Sequence, residues 1–107
     1  MTEHFGLRPD IIERIRAVFA SFPGVERVIL YGSRARGDER YNSDFDFLIE
    51  GEELEFSTWT AISRAIDDLM LPWKVDLVLD KMLRHAGMRA NIEREGVEFY
   101  RRAQDPQ

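Results

Sequence analysis

At 107 residues the chain is sized for one domain, residues 1–107, with a single core and no room for a second. Hydrophobic residues at 44% and charged residues at 33% exclude a disordered or membrane-embedded class, and no apolar run approaches the roughly 20 residues that span a bilayer. The absence of cysteine excludes a disulfide framework, a thiolate zinc site and a thiol nucleophile, while a net charge of −5 argues against a general nucleic-acid binder.

The opening MTEHFGLRPD has neither a basic n-region nor an apolar h-region, so no signal peptide and a cytoplasmic location are expected. Arg8-Pro9-Asp10 announces a helix, because proline and aspartate suit a first turn. Ile11, Ile12, Ile15, Val18, Phe19 and Phe22 then recur at helical spacing, a core-packing face, until Pro23-Gly24 stops it. A strand is expected over about Val25 to Tyr31. Gly32-Ser33 ends that strand, ten polar loop residues follow, and Asp44-Phe45-Asp46 leads into a second apolar run, Phe47-Leu48-Ile49. Gly51-Glu52-Glu53 reads as a turn.

A second helix is expected over Phe56 to Met70, with Ser57 or Thr58 near its start. Its apolar side holds Trp59, Ile62, Ala65, Ile66, Leu69 and Met70, and Leu71-Pro72 closes it. Trp73 to Leu79 reads as the third strand, with Val75, Leu77 and Leu79 facing one way and Asp76 and Val78 the other. Asp80 can cap the helical segment that follows. Residues 81–95 are ragged around His85-Ala86-Gly87, which suggests two short helices. Gly96 ends that segment, Val97 to Tyr100 forms a last short strand, and the tail from Arg101 is expected to fray. The fold class is therefore α/β (α+β): a mixed sheet of about four strands, helices on one face and the two motif strands adjacent in the centre.

The chemistry lies between Tyr31 and Phe47. In a strand, Asp44, Asp46 and Leu48 share one face, which sets the two aspartates roughly 6.5–7 Å apart at their Cα atoms. Ionised, they repel, and a divalent cation beside them removes the conflict. Glycine at position 32 lets backbone approach a ligand, and the Ser33 hydroxyl with nearby N–H groups can hold phosphate oxygens. Phosphate on one side and metal-binding carboxylates on the other is the layout phosphoryl and nucleotidyl transfer require. Two solvated surface charges remain the plain alternative for Asp44 and Asp46, as does a strand edge for Asp76. Arg34 and Arg36 either reach the phosphates, Arg36 the better placed, or are solvated loop charges. Lys74 reads as a surface residue, Ser43 as a turn cap and His85 as a surface or interface residue. The local basic patch of Arg34, Arg36 and Arg40 fits phosphate binding.

Gly32-Ser33, ten residues, Asp44-x-Asp46, then Asp76 within Val75-Asp76-Leu77-Val78, resembles the nucleotidyltransferase superfamily related to polymerase beta, in its small prokaryotic minimal nucleotidyltransferase branch. The likeness covers strand one through strand three, about half the chain. It implies that Gly32 and Ser33 hold the triphosphate of a nucleotide, with Arg36 in support. It implies that Asp44 and Asp46 bind two magnesium ions, and that Asp76 binds one of them and activates the acceptor hydroxyl. It further implies AMP transfer from ATP, and an antitoxin paired with a HEPN-family ribonuclease toxin that is modified on tyrosine.

Other readings stay open. Asp-x-Asp also marks haloacid-dehalogenase-like phosphatases, but there the apolar strand precedes the first aspartate, whereas here Glu39 to Ser43 is polar. A non-catalytic module that keeps the fold and binds a nucleotide or partner is the second alternative. Roughly thirty residues follow Asp76, too few for an acceptor-holding domain. The acceptor is therefore expected to be a separate protein docked over the motif face, with Met82 to Ile92 contributing.

Overall fold

A computed structural model of the chain describes residues 7–37, 44–52 and 54–102, without the side chain of Ser33. The expectations on Arg40, Ser43 and Glu53 and on the last five residues lie outside that set.

Four strands form one mixed sheet in the order β3-β2-β1-β4. They are β1 (Arg27–Tyr31), β2 (Phe45–Glu50), β3 (Val75–Leu79) and β4 (Val97–Arg101). β1 pairs antiparallel with β2 and β4, and β2 pairs parallel with β3. The motif strands β1 and β2 are thus adjacent in the centre, as the sequence led one to expect.

The alternation in each strand sorts the faces. Val28, Leu30, Phe45, Phe47, Ile49, Leu77 and Leu79 point to the main core, where Ile12, Ile15 and Phe19 of α1 (Pro9–Ala20) meet them, and Ile62 and Ile66 of the Phe56–Asp67 helix join from beside. Phe19 stands edge-on to Phe47 at 5.4 Å, and Phe47 lies 4.9 Å from Phe99, so aromatic rings fill the centre. Pro9 occupies the first turn of α1, where its missing N–H costs nothing.

The opposite face is covered differently. Ile29 and Leu48 form a smaller cluster there with Ile92. Ile92 comes from a helix at Ala86–Glu95, so helices are not confined to one face. Both sheet edges are blunted by a side-chain N–H on a strand carbonyl: Trp59 donates to Leu77 and Arg16 to Phe99, each at 2.7 Å.

Between β1 and β2 the chain does not begin a plain loop. The Gly32 carbonyl accepts N–H bonds from Ala35 and Arg36, winding Ser33–Arg36 into a single helical turn, α2. The Phe56–Asp67 helix is α3. It stops three residues before the expected Met70, which has φ of 57° and is 86% exposed rather than on the apolar side. Ser57 and Thr58 do stand in its first turn, and Glu55 occupies the N-cap position without a side-chain cap bond.

Residues 80–95 do form two short helices, a 3-10 turn at Asp80–Met82 and α4 at Ala86–Glu95. Asp80 caps neither; its carboxylate accepts from Arg89 at 2.6 Å. His85 caps α4 instead, its Nδ1 accepting the Met88 N–H at 3.1 Å. The expected fraying from Arg101 is also corrected. Arg101 belongs to β4, and the Arg102 guanidinium donates to the carbonyls of Ala20, the last residue of α1, and of Phe22 and Val25 beyond it.

Candidate active site

The parallel register of β2 and β3 sets Asp46 directly beside Asp76, and the antiparallel register of β1 and β2 sets Tyr31 beside Asp46. Partners in register point to the same face, so Tyr31, Asp46 and Asp76 make a row across three strands. The apolar triad Ile29, Leu48 and Val78 lies on the same face one step below. Asp44 immediately precedes β2 and is exposed.

Electrostatics mark this row. Burial pushes the Asp46 carboxyl above its ordinary range, and the negative charges of Asp76 and Asp44 push it further. The Tyr31 hydroxyl is raised by the same causes, burial first and then Asp46 and Asp76. Lys74 sits 3.8 Å from Asp76 and opposes part of the repulsion at Asp46. It is exposed, as expected for a surface residue, yet its charge belongs to the site.

Gly32 completes the arrangement. Its φ is +81°, and a Cβ placed there would lie 2.7 Å from Oδ2 of Asp46. Any side chain at 32 would displace that carboxylate, so glycine suits the conformation and also leaves the Asp46 carboxylate where it stands.

The two arginines of α2 have different fates. Arg34 is neither a solvated loop charge nor a phosphate arm. It is 3% exposed, and its guanidinium lies 4.1 Å from the Phe45 ring centroid and 5.3 Å from that of Trp73. Arg36 is exposed and lies 3.6 Å from Glu95 at the end of α4. Gly32, Arg36, Asp46 and Asp76 are therefore gathered at one end of the sheet, with Asp44 beside them; the Ser33 hydroxyl is outside the described set.

Among the described residues no three histidine, cysteine, aspartate or glutamate side chains converge as a ready-made metal cage. The donors nonetheless fit magnesium. That ion takes oxygen ligands and is held by one or two carboxylates plus substrate phosphates rather than by an all-protein cage. Asp46 and Asp76 are hard oxygen donors, partly withdrawn from water and repelling one another, which a divalent cation would relieve.

Tyr31, Lys74 and Glu95 were not legible as parts of this region from sequence. Tyr31 had one available signal, its position immediately before Gly32 on the strand. The other two depend on how β3 and α4 are placed. A separate cavity of about 210 Å³ opens on the same sheet face at the far end, lined by residues including Arg27, Glu50 and Glu93, and holds none of the motif residues. No helix among the described residues is long and apolar enough to cross a membrane.

Comparison with known proteins bears on the family and the fold. The family model described as "Polymerase beta, Nucleotidyltransferase" matches residues 13–105. A Methanocaldococcus jannaschii protein provisionally named a protein adenylyltransferase is 26% identical over 88 residues, covering 80% of this chain and 88% of that protein. A toxin–antitoxin crystal structure with AMP-PNP superposes with a TM-score of 0.68 at 17% identity, covering 85% of this chain and 73% of the other. The complex of a tri-AMPylated Shewanella oneidensis HEPN toxin with its MNT antitoxin gives 0.57 at 16% identity, covering 87% and 68%. At these identities the two structures establish likeness of fold.

Proposed function

The chain belongs to the polymerase beta nucleotidyltransferase family, and from that premise we propose that it transfers AMP from ATP to a hydroxyl of a partner protein, a tyrosine of a HEPN-family toxin, and so acts as an antitoxin. The observation that carries this is the row of Asp46 and Asp76 beside a glycine that leaves room for nothing but the carboxylate.

In this reading Gly32 and Ser33 seat the triphosphate, and Arg36 turns from Glu95 toward its negative charge. Asp44, Asp46 and Asp76 would hold magnesium, which when bound supplies Lewis-acid stabilisation of the attacking and leaving oxygens. Asp76, at the sheet edge, orients the acceptor hydroxyl and takes its proton as the oxygen attacks the α-phosphorus. The bond from that phosphorus to the bridging oxygen breaks, and pyrophosphate leaves with the electron pair. No side-chain nucleophile is needed. A cytoplasmic setting suits a reaction that draws on ATP.

The test is to incubate the chain with magnesium, labelled ATP and the protein encoded beside its gene, then locate the label by mass spectrometry. AMP on a tyrosine of that protein supports the reading, and the Asp44→Asn, Asp46→Asn double variant should abolish it. Label found only on nucleic acid, or full transfer by the double variant, would overturn it.

A further inference from the structure

We propose that the surface formed by the Asp80–Met82 turn and the first half of α4 is where the acceptor docks, and that it fits a protein with an acidic surface studded with apolar side chains. This rests on the transfer reaction above and adds the chemistry of the partner.

Position is the first argument. Asp76, Val78 and Asp80 follow one another on one face of β3, so the turn begins about 13 Å along that face from the carboxylate row. Leu83 packs on the cluster of Ile29, Leu48 and Ile92, immediately below Tyr31 and Asp46. A body seated on this segment would share the sheet face that carries the row, at its other end.

Surface chemistry is the second. Met82 and Met88 are 41% and 43% exposed, two of four large apolar side chains left open among the described residues. Methionine is unbranched and polarizable, and it recurs at adaptable binding surfaces. Around them stand Lys81, Arg84 and His85, all exposed. The acidic group of the turn, Asp80, is already taken by Arg89 at 2.6 Å. Lys81 and Arg84 form no ion pair among the described residues. A stretch with two uncompensated cations on a chain of net charge −5 is a local reversal of sign, which steers an acidic partner to this face.

Nucleic acid is also acidic, but the apolar methionines favour protein. Protein–nucleic acid surfaces are polar and strongly cationic, whereas the centres of protein interfaces are enriched in methionine and depleted in charge.

Three fluorescent probes measured by anisotropy test this. They are a glutamate-rich peptide with leucine and tyrosine, the same peptide with lysine for glutamate, and a single-stranded RNA of similar length. The acidic peptide should bind at least about tenfold more tightly than the other two at physiological salt. Lys81→Glu with Arg84→Glu should lose about tenfold of that affinity, and Met82→Ser with Met88→Ser a comparable amount. Because all four side chains are exposed, both variants should keep the parent thermal midpoint. No acidic preference, tighter RNA binding, or unchanged affinity in both variants would overturn the proposal. Magnesium-dependent AMP transfer from labelled ATP to the protein encoded beside the gene is followed in parallel. Acidic-peptide binding without turnover would retire the transfer reading and leave the docking surface standing, whereas turnover without that binding would do the reverse.

Discussion

Replacing Gly32 by alanine separates two demands that one residue meets. Its φ of +81° is in the left-handed region, where a Cβ costs about 1–2 kcal/mol. Gly37 has the same φ of +81°, but a Cβ there meets nothing within 4 Å among the described residues. Both Gly32→Ala and Gly37→Ala should therefore lose about 1–2 kcal/mol, or roughly 5–15 °C in thermal midpoint for a domain of this size. Only Gly32→Ala also drives a methyl to 2.7 Å from the Asp46 carboxylate, and ordinary contact begins at 3.4 Å. The carboxylate must then move by the 0.7 Å between those figures, or the turn must open by as much. Since a misplacement of about 1 Å can cost on the order of a hundredfold in rate, Gly32→Ala should lose tenfold or more of magnesium-dependent turnover. Gly37→Ala should stay within about threefold of the parent when assayed well below its midpoint. Denaturation curves and labelled-ATP turnover on the two variants make the comparison. Equal losses of activity, or an active Gly32→Ala, would refute the argument that residue 32 works by leaving space for Asp46.

The remaining expectations concern charge. The Asp46 carboxyl titrates above its ordinary value of 3.8 in the folded chain, chiefly through burial and then through Asp76 and Asp44. The folded state therefore binds more protons than the unfolded one from 3.8 upward to the raised value, stability falls as pH rises through that window, and Asp46→Asn should flatten this slope in pH-dependent denaturation. At neutral pH the same variant should be more stable by about 0.5–1 kcal/mol, the scale of a partly exposed like-charge contact, while losing turnover. Asp76→Asn should leave nucleotide binding nearly intact in calorimetry and cut turnover by orders of magnitude, whereas Ser33→Ala should weaken binding by about 0.5–1.5 kcal/mol. Arg34→Met should destabilise by about 2–4 kcal/mol, as it removes a buried cation from the faces of Phe45 and Trp73, and Arg34→Lys should not fully restore the loss. Glu95→Gln releases Arg36 from an exposed pair worth about 0.2–1 kcal/mol, so ATP affinity should rise by up to about fivefold; an unchanged or weaker affinity would remove Arg36 from the triphosphate site.

The parts of this molecule that were legible in its sequence are those with a strong local cause. The strands β1 and β2 are apolar runs bounded by polar segments, α1 is a proline-initiated apolar stripe, and both appear within a few residues of their expected limits. Asp46 and Asp76 could be assigned to strand faces by alternation alone. Their pairing could not, because it depends on β3 joining β2 in parallel with Asp46 and Asp76 in register. Residue spacing fixes what shares a face within a strand and says nothing about register between strands. The end of α3 was misplaced because Leu69 continues the apolar period while the chain has already turned through Met70 at positive φ, two residues ahead of Pro72.

Arg34 shows why composition misleads inside a motif loop. Among Arg34, Arg36 and Arg40 it looks like one more cation for phosphate, and its neighbours in sequence are polar or small. The helical turn that begins at Gly32 rotates it away from Arg36 and onto the core side of β2, over Phe45. Phe45 belongs to the core face and Asp46 to the other, since neighbours in a strand alternate. The guanidinium beneath the sheet thus clamps α2 against the same strand that carries the carboxylate on its upper side. One strand residue, Phe45, anchors that turn, and its neighbour, Asp46, meets Gly32 of the same turn from the opposite face. In the proposed reaction the Asp-Phe-Asp tripeptide would thus hold both halves of the site in register: the charges would supply the chemistry, and the ring between them fixes where the turn from Gly32 stands relative to Asp46.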